Sequence, residues 1–397
     1  MDRIPITGIG VVAPGAIGMN ALRELLLKGD TAIRDVERFD TQGLRSHRAA
    51  LVRNFTPKDF IAPMKMRRMN TLSRLAVAAA KMAIDDRGTG SPGHHTGVAL
   101  GTSFGPVQTS VDYMQEYVEK GAALAPPQLF AESVANAPGS HIAIEHGLRG
   151  FNITVTQRES SAMAAAMYAS SQLTKGTVRS AIVGGVEEVN EMIFSVLDRV
   201  GALGHANGEA DERLRPFDRR RNGILLGEGS AVFTLDADPP KTPYASIAGF
   251  GIARDVTATT SDWGFDPQSV VRAMRNAIDD AAIEPSQVDA IYASANGSRR
   301  ADALEYRAIA SLFATRVPPV VATKGYFGEY AGGGALQIAA AVLAVYDQTL
   351  HVSCGFDEGD EGMPFEVNRE TRGAALDYVL VNSISAGGGI VSMVLSR

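Results

Sequence analysis

Two stretches far apart in the chain open in the same way, "TGIGVV" from Thr7 and "AGFGIA" from Ala248. Each is a short apolar run with glycine at alternate places, and each begins a series of β-branched runs separated by helical patterns. The first series is "IPITGIGVV", "HTGVALGTS", "FNITVT", "RSAIVGG" and "SAVFTLD". The second is "YASIAGFGIA", "VDAIYASA", "PPVVATK", "YVLVNSI" and "GGIVSMVL". Both close with a Gly-rich turn feeding a last strand, "LGEGSAVFTL" and "SAGGGIVSMVL". Short apolar runs alternating with longer amphipathic patterns argue for an α/β fold with buried strands. The helix "SVVRAMRNAIDDAAI" places Val270, Met274, Ala277 and Ile278 along one face. Between the series, "DADPPKTPYA" is proline-rich and poor in apolar residues, which predicts a division into 1–240 and 241–397. A duplicated α/β unit follows, with a pocket at its junction as the natural site.

The stretch "NITVTQRESSAMAAAMYASSQLTKG", Asn152 to Gly176, reads as a strand, a sharp turn and a small-residue helix. Such a turn is a common seat for a nucleophile. Here it carries Gln157, Arg158 and Glu159, followed only by ordinary serines.

Charge and cysteine content narrow the function classes. A net charge of −6 gives no general drive toward nucleic acid. Two basic clusters stand out locally: Lys65, Arg67, Arg68 and Arg74, then Arg213, Arg215, Arg219, Arg220 and Arg221. They read as solvated faces or ion-pair partners, with a landing patch for an acidic protein as the sharper alternative. The single cysteine, Cys354, excludes an internal disulfide framework and fits a reducing compartment. No apolar run approaches the roughly 18 residues needed to cross a bilayer, and the N-terminus starts directly on a strand. A cytoplasmic protein without membrane contact is expected. "GEG" and "AGGGA" complete no nucleotide-binding pattern, and "DEGDEG" lacks calcium-loop spacing and reads as a solvated loop. No cofactor and no metal are expected.

The segment "RPFDRRRNGILLGEGSAVFTLD", Arg215 to Asp236, resembles the R-P-F-D-x-x-R-x-G-x-x-x-G-E-G pattern of β-ketoacyl-acyl-carrier-protein synthases, the condensing enzymes of the thiolase superfamily. Pro216, Phe217, Asp218, Arg221, Gly223, Gly227, Glu228 and Gly229 match it. "IYASANGSRRADALE" and "ATKGYFGEYAGGGALQIAAA" resemble the family's two histidine loops, and "VLVNSISAGGGIVS" its closing turn. The resemblance spans essentially the whole chain. It implies a thiolase fold, with duplicated halves in αβαβα layers.

In active members a cysteine at the helix N-terminus takes the acyl chain. Two histidines then assist decarboxylation of the extender unit. Aligned without gaps from Gly150 to Gly185, the cysteine position holds Glu159. The first histidine position holds Asn296 and the second Glu329, while Lys324 is retained. Ile384 and Ala386 stand where the closing turn carries phenylalanines. Cys354 lies outside every catalytic motif, so the resemblance implies no catalytic residues. A register shift bringing Gln157 to the cysteine position is disfavoured by the ungapped flanks.

A silent member of this kind resembles the chain length factor, the β subunit of a type II polyketide ketosynthase heterodimer. That resemblance implies an active ketosynthase α subunit and an acyl carrier protein with its acyl chain as partners. It also implies a role in polyketide or polyene chain building. Val107, Ser110 and Met114, at i, i+3 and i+7 of a helix, are then candidates for the tunnel wall, with Tyr113 and Tyr117 as a second wall or as interface packing. Two rival readings are a malonyl-carrier decarboxylase using Glu159 and a homodimeric structural pseudoenzyme in which Glu159, Glu329 and Lys324 form a buried ion network. The first sits badly with the loss of both histidines.

Overall fold

The computed structural model describes residues 3–88, 92–208 and 210–397. The main elements of the first half are β1 (Ile4–Ala13), α1 (Thr71–Arg87), β2 (Thr96–Gly101), α2 (Val107–Lys120), α3 (Ala137–His146), β3 (Asn152–Val155), α4 (Ser161–Thr174), β4 (Ser180–Glu187) and β5 (Gly229–Asp236). The second half supplies β6 (Ala245–Arg254), α5 (Pro267–Asp280), β7 (Ala290–Ala293), α6 (Arg299–Leu312), β8 (Val320–Ala322), α7 (Ala335–Asp347), β9 (Tyr378–Ile384) and β10 (Gly389–Ser396).

The strand order is β3-β2-β4-β5-β1 in the first half and β8-β7-β9-β10-β6 in the second. Directions repeat as well. In the first half β1 and β4 run antiparallel to β5, while β2 runs parallel to both β4 and β3. In the second, β6 and β9 run antiparallel to β10, while β7 runs parallel to both β9 and β8. The two halves are therefore one topology used twice. They join where Ile4–Ile6 of β1 pair with Ala245–Ile247 of β6.

The repeated G-x-G has a packing cause. A Cβ at Gly10 would stand 1.9 Å from the Ala79 carbonyl oxygen of α1, and one at Gly251 would stand 2.0 Å from that of Ala273 in α5. Each half thus seats its outer helix directly on strand backbone, a close approach that only glycine permits. Val270, Met274, Ala277 and Ile278 face inward from α5, as their spacing predicts. The central layer is made by α4 and α7. Ala335 to Val345 of α7 are all buried, which a helix covered on every side requires. One apolar core surrounds α4 and α7, and a second and third lie beneath α5/α6 and α1/α3. This is the layered αβαβα thiolase architecture.

The R-P-F-D segment clasps the halves together. Asp218 accepts the backbone N–H of Asp357 and Glu358, and the Phe217 N–H donates to Asp302 Oδ2 at 2.7 Å. Arg219 pairs with Glu358, Arg220 with Asp357, and Arg221 with Asp360. Arg215, buried, reaches Asp211 and Asp357. The "DEGDEG" stretch is largely exposed, as a solvated loop should be, and Asp357, Glu358 and Asp360 within it serve as counter-ions of this arginine cluster. In the other cluster Lys65 pairs with Glu145, while Arg67 and Arg68 stay exposed. No described helix is long and apolar enough to cross a membrane.

Candidate functional site

Strand β3 delivers the chain to a turn in which Arg158 takes the left-handed backbone conformation, φ 47°. A non-glycine residue there costs roughly 1–3 kcal/mol and persists only where its surroundings enforce it. Ser103 Oγ and Ser161 Oγ both donate to the Arg158 carbonyl, at 2.9 and 2.6 Å. The next residue, Glu159, is thereby turned inward at the approach to α4 and is 2% exposed.

The segment from Ser383 to Ala386 closes over this turn. Ser383 Oγ donates to the Glu159 carbonyl at 3.0 Å, Ser385 Oγ to that of Gln157 at 2.9 Å, and the Ser160 N–H to Ser385 Oγ at 3.1 Å. The Glu159 carboxylate has two donors of its own. Ala386 N–H reaches Oε2 at 3.1 Å and the Tyr330 hydroxyl reaches Oε1 at 3.0 Å. Burial and the neighbouring Glu329 charge push this carboxyl up to about 7.

Tyr330 is the residue the sequence pattern did not single out. It sits at φ 67°, and beyond Ala331 three glycines, Gly332 to Gly334, also take positive φ. This left-handed run turns the chain so that adjacent side chains meet different groups. Glu329 Oε2 accepts from Lys324 Nζ at 2.9 Å, and its Oε1 accepts the Tyr330 N–H at 2.9 Å. Glu329 is held by backbone as well, with its carbonyl accepting from Gly227 of the R-P-F-D segment at 2.8 Å. Glu159, Tyr330, Glu329 and Lys324 thus form one buried chain of polar contacts.

Asn296 does not share those contacts. Its amide oxygen accepts the Ser298 N–H at 3.0 Å, closing a local turn before α6, and its own N–H donates to Asp302 Oδ1 at 2.9 Å. The acids behind this loop are also new to the structure. Glu305 Oε1 accepts the Ser294 N–H and Asn382 Nδ2, and burial pushes the group up to about 7. All four candidate positions, Glu159, Asn296, Lys324 and Glu329, are at most 3% exposed.

No imidazole takes part in these contacts. The buried His351 belongs elsewhere, with Nδ1 2.8 Å from the Tyr292 hydroxyl, and burial lowers it to about 4. Cys354 is half-buried and its thiol is pushed up to about 11, which suppresses the thiolate needed for nucleophilic attack. The assembly can hold charge and fix loops, but it offers no activated nucleophile.

The proposed tunnel residues lie on α2, which reaches this site through Phe104, edge-to-face with Tyr330 at 4.9 Å. Val107 and Ser110 are half-buried, and Ser110 Oγ faces the Pro106 and Ser133 carbonyl oxygens of its own chain. Met114 and Tyr117 are exposed, while the Tyr113 ring packs 5.6 Å from Phe130.

The buried acids predict a pH dependence of stability. Glu187 is pushed up to about 8 by burial, Glu188 to about 7, and Glu305 to about 7. Their folded-state values lie above the unfolded ones, so between about pH 4.5 and 8 the unfolded chain releases protons that the fold retains. Stability then falls as pH rises through this window. His351, lowered on folding, opposes this only below its unfolded value of about 6.5. Thermal melts at constant ionic strength are expected to show a falling Tm from pH 6.5 to 8.5, and Glu187→Gln to flatten that slope. A Tm that rises over the range would contradict the assignment.

Comparison with known proteins gives a consistent result. The model for the beta-ketoacyl synthase N-terminal domain matches residues 1–239, and that for the C-terminal domain matches 244–357. A 3-oxoacyl-[acyl-carrier-protein] synthase 2 of Coxiella burnetii is 29% identical, over 100% of this chain and 98% of its own. The tetracenomycin polyketide synthase ketoacyl synthase beta subunit of Streptomyces glaucescens is also 29% identical, over 99% and 98%. Among solved structures, the ishigamide ketosynthase/chain length factor superposes with a TM-score of 0.91 at 27% identity, over 100% of this chain and 99% of that one.

Proposed function

Because the chain belongs to the β-ketoacyl synthase family, with both family domains matched along it, we propose that it is a non-condensing ketosynthase-like subunit of the chain-length-factor type. Residues 1–240 and 241–397 would be its two halves. In this reading it pairs with an active ketosynthase and meets the acyl carrier protein that serves the pair. It then helps wall the acyl tunnel during type II polyketide or polyene chain elongation.

One observation carries the reading. The position expected to hold the acyl-accepting sulfur carries Glu159, whose carboxylate is already held by Ala386 N–H and the Tyr330 hydroxyl. The surrounding fold is intact, so the chain keeps a ketosynthase shape without ketosynthase chemistry. What a family member of that kind can still contribute is surface. The relatives support this without deciding it, since an enzyme named as a synthase and a subunit named as beta are equally similar.

Co-expression with ketosynthases that retain cysteine and both histidines tests the pairing. A stable 1:1 complex with at least one of them is expected, and failure with all of them would sink the reading. Within such a complex, Ser110→Trp is expected to shorten the product by about one extension unit or more, because an indole added to the half-buried α2 face consumes tunnel volume. Met114→Trp should act in the same direction. An unchanged product distribution, read by mass spectrometry of released chains, would remove these residues from the tunnel wall.

A further inference from the structure

We infer that the Tyr330 side chain fills the space into which an acyl group carried on residue 159 would extend, so that this chain shuts acyl groups out by bulk as well as by lacking the nucleophile. This rests on the subunit reading above and deepens it, because a chamber closed in this way leaves only the partner's tunnel for the growing product. An acyl group on the side chain of residue 159 would keep its polar carbonyl at that residue and send an apolar tail away from it. Tyr330 has the same disposition. Its hydroxyl donates to Glu159 Oε1 at 3.0 Å, and its ring belongs to an apolar cluster shared with Val189, Phe194 and Leu226. Phe104 meets the ring edge-to-face at 4.9 Å, and half-buried Ile193 and Leu197, on the helix Glu191–Arg199, pack against the same cluster. Walls of this kind suit a hydrocarbon tail, yet a tyrosine only 4% exposed already stands among them. Protein interiors are close-packed, so a tail and this ring cannot share the space.

The plug and the substitution at residue 159 act together. A buried phenol needs an acceptor, and a buried carboxylate needs donors. Glu159 supplies the acceptor, and Tyr330 supplies one donor while Ala386 N–H supplies the other. A cysteine sulfur at the same place would be a weak acceptor and would leave the hydroxyl poorly served. The backbone is fitted to the same end. Tyr330 takes φ 67°, a conformation that bulky side chains rarely adopt. Its neighbour Glu329 is fixed by Lys324 Nζ, by the Tyr330 N–H and by its backbone bonds to Leu225 and Gly227. A strained residue held this firmly points to a placed side chain.

The test restores the thiol and asks what length of acyl group reaches it. In the full chain, Glu159→Cys and the double variant Glu159→Cys/Tyr330→Gly are offered the acetyl and hexanoyl thioesters of N-acetylcysteamine, small donors that need no carrier protein. Glycine removes the side chain and is at ease with the left-handed backbone. The introduced sulfur attacks the thioester carbonyl, the bond to the N-acetylcysteamine sulfur breaks, and that thiol departs with the proton. Nothing is oxidised or reduced. Intact-mass kinetics give the ratio of hexanoyl to acetyl transfer, in which the reactivity of the thiol cancels. Removing the tyrosine is expected to raise this ratio at least about tenfold, since even a single methylene in an apolar pocket can shift discrimination by that much. Tyr330→Leu, with a smaller apolar side chain, gives a second double variant should the glycine form not fold, and circular dichroism verifies each. With Glu159 left in place, Tyr330→Gly should also gain a site for hexan-1-ol, read as a ligand-dependent rise in Tm that the unaltered chain does not show. An unchanged ratio, a double variant that takes up no hexanoyl group, or a Tyr330→Gly chain that hexan-1-ol leaves unstabilised overturns the inference. An unchanged ratio beside a ketosynthase that co-purifies 1:1 would remove the plug and leave the subunit reading standing. A raised ratio with no co-purifying ketosynthase would do the reverse.

Discussion

Incubated alone with malonyl or acyl thioesters of a carrier protein, the purified chain is expected to keep its unmodified mass and to release no carbon dioxide above background. Covalent acylation in this family needs a thiolate at the turn before α4, and the chain presents the Glu159 carboxylate there. That group is a weak nucleophile made weaker still, because Ala386 N–H and the Tyr330 hydroxyl engage both its oxygens. Held near pKa 7, it is also partly protonated at neutral pH. Attack by it on a thioester would give a mixed anhydride open to hydrolysis rather than a stable acyl-enzyme.

The decarboxylation step fares no better. Asn296 commits its amide oxygen to the Ser298 N–H, and Glu329 is bound to Lys324. Neither can transfer a proton as an imidazolium would; the Asn296 amide can offer at most a hydrogen bond, and the Glu329 carboxylate is committed to Lys324. A positioned general acid or base contributes roughly 10²–10⁴-fold, and the proposed alignment replaces two such groups together with the nucleophile. An acyl adduct mapped to Glu159 would overturn this expectation. So would carbon dioxide release that disappears in Glu159→Gln, which would return the decarboxylase reading to first place.

Much of the fold is legible in the sequence because it is written in local terms. The twin G-x-G runs encode the seat of an outer helix on a strand, a contact that depends on the glycines themselves. That Glu159, Glu329 and Lys324 come together is legible too, and the structure joins them in one buried chain of polar contacts. The destinations of side chains are less so. Arg219, Arg220 and Arg221 read as a basic cluster, yet besides the local Arg220–Asp218 pair they reach Glu358, Asp357 and Asp360, more than a hundred residues away. Nothing local specifies such a pairing. Tyr330 is not legible in the sequence because its role depends on its own left-handed backbone conformation, which separates its side chain from that of Glu329. The α2 helix is legible, but Met114 and Tyr117 are exposed in the single chain, so its sequence spacing alone does not bury them.

The ion pair at the centre of the site carries the second large effect. Lys324→Met is expected to destabilise the fold by about 3–5 kcal/mol, the cost of leaving one member of a buried pair uncompensated. Lys324 and Glu329 are 3% and 1% exposed, with Nζ and Oε2 at 2.9 Å. Without the ammonium, the Glu329 carboxylate would lose its counter-ion beside Glu159, and Glu159, already raised by burial and by the Glu329 charge, would be driven further toward its protonated form. The loss should therefore be larger at pH 8 than at pH 5, because a carboxyl raised on folding loses stability as pH rises. Glu305 adds to this, since Lys324 is one of the influences that hold its pKa down. Against typical stabilities of about 5–15 kcal/mol, the single change could remove much of the total. Lys324→Met with Glu329→Gln should recover a large part of the loss, because the second change withdraws the stranded charge and keeps an acceptor for the Tyr330 N–H. Urea unfolding of the three variants, followed by Trp263 fluorescence and circular dichroism, measures the cycle. A single-variant loss below about 1 kcal/mol would mean that water reaches the pair and that the site is not the sealed, charge-balanced core described here.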